Sequence, residues 1–310
     1  MDFIIFVISM AVLIKGADMI IKESERIALH YGISEFVIGA TLVAVGTSLP
    51  EMAASIAASY NHKSEMAVAN VLGSVVLNIT LVLGLVFLLS KNINPSRDIF
   101  AKDSTWALIP VFVFILMAFD GVISRFEGFL FLLLMGGYLL FLSSESEMLT
   151  EEIDEDLKKE PFNWPKTSLL LIGGFVAVVG GADFAIESAS NIAREFGISE
   201  WIIGLFLIAF GTSLPELMVS IVAALKKKAD MSIGNIIGSN AANFTIVLGS
   251  AALVNPLTVD VSRYMFDIAT ALTVSIVLVF ITANRMYNKS AGIALLTLLA
   301  LFAYNSLNAL

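Results

Sequence analysis

Long apolar runs repeat along the whole chain and are separated by short polar stretches. A transmembrane helix needs roughly 20 mostly apolar residues to cross about 30 Å of hydrocarbon. Runs of this length predict an all-α polytopic membrane protein with ten transmembrane helices. The expected spans are 2–27, 35–60, 65–89, 103–120, 125–144, 167–193, 200–225, 230–254, 265–283 and 290–308.

The composition supports this class of protein. Hydrophobic residues make up 58% of the chain and charged residues 15%, and the mean hydropathy is +0.89; soluble domains have about 25% charged residues. Since the chain contains no cysteine, disulfides and thiolate metal sites are excluded. The first apolar run leads into further spans without a small-residue cleavage pattern, so we expect it to be a retained helix.

One long acidic segment, residues 145–166, divides the chain into two halves of five spans each, 1–144 and 167–310. It lacks the calcium-loop pattern of EF-hands, so we interpret it as a solvated linker. Lysine and arginine concentrate in the loops on the linker's side of the membrane, including residues 226–228, whereas the opposite loops hold few. The positive-inside rule therefore predicts a cytoplasmic linker and extracellular termini for a protein of the cell membrane.

The two halves contain copies of one segment. At a constant offset of 165 residues, GISEFVIGATLVAVGTSLPE (32–51) aligns with GISEWIIGLFLIAFGTSLPE (197–216), and NVLGSVVLNITLVLG (70–84) aligns with NIIGSNAANFTIVLG (235–249). The copies fill spans 2–3 and 7–8, about 35–89 and 200–254. Because each half has an odd number of spans, the second copy must be inverted in the membrane. Inverted repeats with interrupted helices indicate a secondary transporter whose site lies near the bilayer midplane.

The sequence GTSLPE places helix-breaking and polar residues inside spans 2 and 7. Pro50 cannot donate to the carbonyl of Gly46, so span 2 is predicted to break and to free the backbone carbonyls around residues 44–47. Thr47 and Ser48 precede Glu51 by four and three residues, which puts all three side chains on one helix face. The polar stripe of span 3 and the corresponding residues of the second copy are Asn70, Ser74, Asn78, Thr212, Ser213, Glu216, Asn235, Ser239 and Asn243.

These residues are predicted to meet in the membrane. Glu51 lies about 24 Å along a helix that begins near Glu35, which is close to the middle of the bilayer. Glu216 reaches the same level from the opposite side. The site offers oxygen atoms without histidine or cysteine, which suits a hard cation such as Ca²⁺ with its six to eight oxygen ligands.

The two motifs resemble the alpha-repeats of sodium/calcium exchangers in the calcium/cation antiporter superfamily, and the resemblance covers nearly the whole chain. It implies an antiporter in the lipid bilayer and not an enzyme, with Ca²⁺ and Na⁺ as transported ions, no cofactor and no nucleic-acid partner. Asparagine at position 243, where some prokaryotic and potassium-dependent relatives carry aspartate, counts against potassium dependence. The implied ligand set is Glu51, Glu216, Thr47, Thr212, Ser48, Ser213, Ser74, Ser239, Asn78, Asn243, Ala44 and Ala209.

The charge of this site indicates a mechanism. Two ionised glutamates carry −2, one Ca²⁺ brings the site to zero, and the three Na⁺ that the resemblance implies would bring it to +1, so the exchange is expected to be electrogenic. A bare −2 site resists crossing the membrane, whereas an occupied site lets spans 1 and 6 slide in alternating access.

Other functions are consistent with parts of the pattern. Two protons would neutralise the glutamates equally well, which leaves H⁺/Ca²⁺ antiport as the alternative. A cation channel would pass calcium without a counter-ion gradient. An intramembrane hydrolase using Ser48 or Ser213 would need a base, and no histidine or lysine is predicted at their depth.

Several polar residues of the spans have simpler interpretations. Ser55 and Ser220 are predicted to serve interhelical packing. Asn70 and Asn235 are either ligands or supports of the broken helices. Asp18, in the sequence KGAD, and its equivalent Asp183 are predicted to have a structural or interfacial role.

Overall fold

The computed structural model describes residues 2–90, 93–144, 162–197 and 209–308, so most of the predicted linker lies outside the described residues. These residues are almost entirely helical, and two short strands, β1 (Val122–Ile123) and β2 (Leu257–Thr258), pair antiparallel. The helices are α1 (Asp2–Tyr31), α2 (Glu35–Thr47), α3 (Leu49–Tyr60), α4 (Ser64–Leu89), α5 (Ile99–Met117), α6 (Arg125–Ser144), α7 (Trp164–Glu195), α8 (Ala209–Gly211), α9 (Leu214–Leu225), α10 (Ala229–Val254), α11 (Met265–Ala283) and α12 (Lys289–Asn308).

The predicted all-α membrane fold is confirmed. Among the described residues, eight helices are long and apolar enough to cross a membrane, and α2 and α3, bent by 44° at their junction, form a ninth span. α9 is a shorter apolar helix at the position of the second half of predicted span 7. The first half of that span falls largely outside the described residues, but the break between α8 and α9 is present.

Two helices begin earlier than their apolar runs indicate. α5 begins at residue 99 instead of 103, because the carboxylate of Asp98 accepts a hydrogen bond of 3.1 Å from the N–H of Ala101. α7 begins at residue 164 instead of 167, because the side chain of Asn163 accepts one of 3.1 Å from the N–H of Lys166. Capping side chains satisfy the free N–H groups of a first turn, so polar residues extend both helices.

The backbone repeats at the same offset of 165 residues. His62 and Lys227, in the turns that follow α3 and α9, both adopt the left-handed conformation, with φ of 57° and 64°. α4 and α10 each contain one π-helical turn at equivalent positions, Asn78–Val82 and Asn243–Val247. The two copies therefore share their local structure as well as their sequence.

Contacts between the copies show the inversion. α10 begins beside the start of α2, where Lys228 contacts Glu35 at 2.8 Å, and ends beside the end of α3, where the Ser59 hydroxyl donates to the Ala251 carbonyl at 2.6 Å. α10 therefore runs in the direction of span 2 and opposite to α4, its counterpart in the first copy. Of the 18 residues that form the apolar stretch of each helix, 78% are buried in α4 and 83% in α10. The corresponding share is 39% or less in the other unbroken spans. Their polar stripes thus lie at the centre of the molecule.

The helices of spans 1 and 6, α1 and α7, pack against each other through glycines. A Cβ on Gly16 would lie 2.9 Å from the carbonyl oxygen of Gly174, and one on Gly181 would lie 3.1 Å from the carbonyl oxygen of Ser9. Small residues allow such close approach of helices in membranes. Asp18, two residues beyond Gly16, pairs with Lys226 in the turn before α10, in keeping with its predicted structural role.

Candidate cation site

The break in span 2 is centred on Ser48, which links α2 to α3. Its N–H donates to the Ala44 carbonyl at 3.0 Å, and its own carbonyl accepts from the N–H of Met52 at 3.0 Å. Pro50 has no N–H for the carbonyl of Gly46, and the predicted bend follows. The expectation that all carbonyls of residues 44–47 are freed is wrong for Ala44, because Ser48 continues the last turn of α2.

Glu51 and Glu216 follow the two breaks, and both side chains are fully buried. Each carboxylate faces hydroxyl groups of the other repeat. The hydroxyl of Ser48 donates to Oε1 of Glu216 at 3.0 Å, and Ser213 and Thr212 lie beside Glu51. The two repeats thus form one candidate site, in which the carboxylate of each repeat lies beside hydroxyl groups of the other.

Buried polar atoms at this site have no hydrogen-bond partner among the described residues. They are both carboxylate oxygens of Glu51, Oε2 of Glu216, Oδ1 of Asn78, Oγ of Ser239 and the amide oxygen and nitrogen of Asn243. A buried polar atom without a partner costs about 1–3 kcal/mol. Buried carboxylate, amide and hydroxyl oxygens without partners have the chemistry of a cation site.

The hydroxyls of Thr47 and Ser213 each contact a polar side chain of the other repeat. The Thr47 hydroxyl donates to the Ala44 carbonyl at 3.2 Å and contacts Oδ1 of Asn235 at 3.4 Å. Ser213 contacts Ser74 through their Oγ atoms at 3.5 Å, which joins α4 to the break of span 7. All of these side chains except that of Asn235 belong to the predicted set.

Asn70 and Asn235 support the broken helices. The amide nitrogen of Asn70 donates to the carbonyl of Glu51 at 3.2 Å and to the hydroxyl of Ser55 at 2.9 Å. Asn235 makes the equivalent bond of 2.9 Å to the hydroxyl of Ser220. Ser55 and Ser220 therefore join the two helices of each copy, as interhelical hydrogen bonds do in membrane proteins.

Asn240 is a neighbour of the site that the sequence pattern did not indicate. Its Oδ1 accepts a hydrogen bond of 3.1 Å from the amide nitrogen of Asn78. The equivalent residue of the first copy is Val75, so a search for residues shared by the copies passes over position 240. A polar residue where the other copy has an apolar one is the signal that could have found it.

Two cavities reach the site from the same side. One of about 480 Å³ is lined by Asn70, Ser74 and Thr212, and extends past Met66 at the start of α4. The other, of about 360 Å³, lies between α7 and the two breaks and extends to Arg194 at the end of α7. Thr212, in the turn that follows the short helix starting at Ala209, lines both cavities.

Ion pairs lie on the opposite side of the molecule, away from the openings of the two cavities. Lys226 pairs with Asp18 of α1. Lys228 contacts Glu25 of α1 at 2.6 Å and Glu35 at the start of α2 at 2.8 Å. These pairs join α1 to the turn before α10 and, through Lys228, to the start of α2. Among the described residues, the two cavities thus lie on one side of the site and these ion pairs on the other.

A buried, oxygen-lined site between two inverted repeats of a multi-pass membrane protein defines a secondary transporter. Residues 1–144 and 166–308 match the family described as sodium/calcium exchanger protein. The sodium/calcium exchanger MaX1 of Methanosarcina acetivorans is 31% identical over 95% of this chain and 95% of its own. An uncharacterised membrane protein of Methanocaldococcus jannaschii is 35% identical over 94% of each.

A solved structure gives the same result. The sodium-calcium exchanger NCX_Mj, soaked with zero Na⁺ and Ca²⁺, matches with a TM-score of 0.83 at 32% identity, over 99% of this chain and 98% of that chain. Soaked with 2.5 mM Na⁺ and 0.1 mM Ca²⁺, it matches with a TM-score of 0.80. The chain belongs to the sodium/calcium exchanger family, and the resemblance seen in its sequence is confirmed.

Proposed function

We propose that the protein exchanges Na⁺ for Ca²⁺ across the cell membrane by alternating access at the site between Glu51 and Glu216. The unpartnered oxygen atoms around these two buried carboxylates carry the proposal. Ca²⁺ takes six to eight oxygen ligands. Two bidentate glutamates, the amide oxygen of Asn78 and the carbonyls of Thr47 and Thr212 would together supply that number.

Sodium would occupy flanking positions lined by hydroxyls, which contribute oxygen without adding negative charge. Ser48 already lies 3.0 Å from a Glu216 oxygen, and Ser213 and Ser74 lie next to each other. Ser239 has an unpartnered hydroxyl and Asn243 would complete the central position. The carbonyls of Ala44 and Ala209 are the weakest members of the set, since that of Ala44 is already hydrogen-bonded.

The charge of the site would couple the two ions. Neither glutamate pairs with a cationic side chain among the described residues, so an empty site with both ionised carries −2. Such a charge is costly to move through a membrane unless it is compensated. One Ca²⁺ compensates it fully, and three Na⁺ leave +1. Each exchange of three Na⁺ for one Ca²⁺ would therefore move one positive charge in the direction of sodium.

In the proposed cycle, this arrangement would be the outward-facing step. With the linker in the cytoplasm, as the positive-inside rule predicts, both cavities open outside and the ion pairs of Lys226 and Lys228 lie inside. The glycine-lined contact between α1 and α7 lets these two helices move as one unit past the broken spans. Sliding of that pair would close the outer cavities and open the inner side.

Calcium uptake into proteoliposomes tests the proposal. Vesicles loaded with Na⁺ are expected to take up ⁴⁵Ca²⁺ from a sodium-free medium, and an inside-positive potential should accelerate uptake, because net positive charge leaves with sodium. Vesicles that hold only a pH gradient serve as the comparison. Uptake driven by the pH gradient and indifferent to sodium would replace Na⁺ by H⁺ as the counter-ion.

Two substitutions test the site itself. Glu51→Gln and Glu216→Gln each remove one negative charge with little change in shape, and uptake is expected to fall to the level of protein-free vesicles. Glu195→Gln, at the exposed end of α7, is the matched control and should retain full exchange. Full exchange in either of the first two variants would rule out the proposed site.

A further inference from the structure

The two central asparagines, Asn78 and Asn243, occupy equivalent positions of the repeats but have different hydrogen-bond partners. The first copy reads GSVVLN and the second GSNAAN before and including them. Position 240 therefore carries asparagine where position 75 carries valine, a side chain without a polar atom. The backbone therefore repeats at this point, but the polar side chains differ between the two copies.

The asymmetry is visible in the contacts. The amide nitrogen of Asn78 donates to Oδ1 of Asn240 at 3.1 Å, while Oδ1 of Asn78 has no partner among the described residues. Both side chains are buried, with exposed fractions of 1% and 6%. In Asn243, by contrast, neither the amide nitrogen nor the amide oxygen has a partner in the described part of the chain.

An asparagine amide offers a cation either a ligand or a repulsive group, depending on its orientation. Its oxygen coordinates cations, whereas its NH₂ group carries partial positive charge and is a donor only. A bond that engages the NH₂ group leaves the oxygen available. We propose that Asn240 is a positioning residue that holds the amide oxygen of Asn78 toward the calcium site; this inference rests on the proposed function, in which Asn78 lines the central position.

The two central asparagines then differ in how they bind the ion. Asn78 is oriented before calcium arrives, so its oxygen is a ready ligand and the ordering cost is met by the fold. Asn243 has no such acceptor among the residues that the structure describes, and is oriented by the ion itself. The first repeat therefore supplies a central ligand whose orientation is already set, whereas Asn243 of the second repeat is oriented when the ion binds.

Substitutions of Asn240 in two backgrounds test this inference. Asn240→Val installs the residue of the first copy and removes the acceptor, and is expected to raise the half-saturating calcium concentration for ⁴⁵Ca²⁺ uptake about tenfold. Asn78→Asp gives that position two equivalent oxygens, so its orientation no longer matters. In this background Asn240→Val is expected to change half-saturation less than about twofold.

A conservative variant separates positioning from packing. Asn240→Asp keeps an acceptor for the NH₂ group of Asn78, so its half-saturating calcium concentration should not rise above that of the unmodified protein. Equal losses from Asn240→Val in both backgrounds, or a loss in Asn240→Asp as large as in Asn240→Val, would overturn the inference. Size-exclusion profiles in detergent identify variants that fail to fold. Failure of the proposed function would look different, because the unmodified protein would then show no calcium uptake driven by sodium.

Discussion

The hydroxyl of Ser48 in the first repeat donates a hydrogen bond of 3.0 Å to Oε1 of Glu216 in the second. Both side chains are buried, with Ser48 2% exposed. The bond crosses the pseudo-twofold relation between the repeats and joins the break of one copy to the acidic residue of the other. Because Ser48 is also the residue at which span 2 bends, the geometry of the bend and the placement of the carboxylate depend on each other.

Removing this hydroxyl should weaken sodium binding. Hydrogen bonds to charged groups contribute roughly 1.5–3 kcal/mol, so we expect Ser48→Ala to raise the half-saturating sodium concentration for exchange about tenfold or more. The sodium dependence of ⁴⁵Ca²⁺ release from proteoliposomes measures it. Ser144→Ala, which removes an exposed hydroxyl at the end of α6, is the control. A sodium dependence equal in both variants would exclude Ser48 from the sodium site.

The contact between α1 and α7 should not tolerate added volume. A Cβ on Gly16 would lie 2.9 Å from the Gly174 carbonyl oxygen and 2.9 Å from the Ala177 methyl group, so Gly16→Ala is expected to cost about 1–3 kcal/mol. Gly180→Ala, on α7 with no atom within 4 Å of the added methyl, is the matched control. Alanine favours a helix over glycine by roughly 0.5–1 kcal/mol, and this gain is common to both variants. Thermal unfolding in detergent should show a lower midpoint for Gly16→Ala alone, and coincident midpoints would contradict the close contact.

The ion pairs of Lys228 should add stability that is lost at high pH. Burial of its ammonium lowers the pKa of Lys228, but the hydrogen bonds to Glu25 and Glu35 outweigh this and hold the pKa above its ordinary value. A group with a raised folded pKa stabilises the fold fully below its unfolded pKa, about 10.4, and that stabilisation disappears as pH rises through the folded value.

We therefore expect Lys228→Met to lower the free energy of unfolding by about 3 kcal/mol at neutral pH, as for the loss of one partner from a buried pair. The difference from the unmodified protein should shrink above about pH 10.4. Chemical unfolding in detergent at pH 7 and at pH 11 measures both quantities. Lys22→Met, an exposed lysine of α1, should cause little change. A Lys228→Met deficit that stays constant with pH would exclude the charge as its cause.

The support of the first break should be needed for calcium affinity. Asn70→Ala removes the donor to the Glu51 carbonyl and to Ser55, and is expected to raise half-saturating calcium about tenfold, which corresponds to roughly 1.4 kcal/mol. Asn61→Ala, which removes an exposed amide that donates to the Ala57 carbonyl, should have no effect on uptake. Equal calcium affinities would show that the bend holds without Asn70.

The fold and the core of the site were predictable because each rests on a pattern that the sequence repeats. The apolar runs locate the spans, and the two copies of GTSLPE locate the breaks and the facing carboxylates. An odd number of spans in each half requires the inversion that the contacts of α10 with Glu35 and Ser59 show. These features depend on periodicity and topology, and both can be inferred from the order of apolar and polar residues along the chain.

The remaining features depend on contacts between distant segments. The π-helical turns that begin at Asn78 and Asn243 were not predicted, because apolar periodicity indicates a helix without distinguishing an α-helical turn from a π-helical one. Ala44 keeps its carbonyl bonded because of the backbone geometry of Ser48. The partner of Asn78 comes from the other half of the chain, and only the structure shows that Asn240 faces it.

The crossing of hydroxyls and carboxylates between the copies has a consequence for the origin of the protein. A chain of residues 1–144 alone would contain Glu51 without the hydroxyls that face it, and the hydroxyl of Ser48 without Glu216. A half-length ancestor could assemble this site only by pairing with a second copy inserted upside down. In a chain that joins the two copies through residues 145–166, each copy keeps one orientation, so position 240 need not carry the residue of position 75.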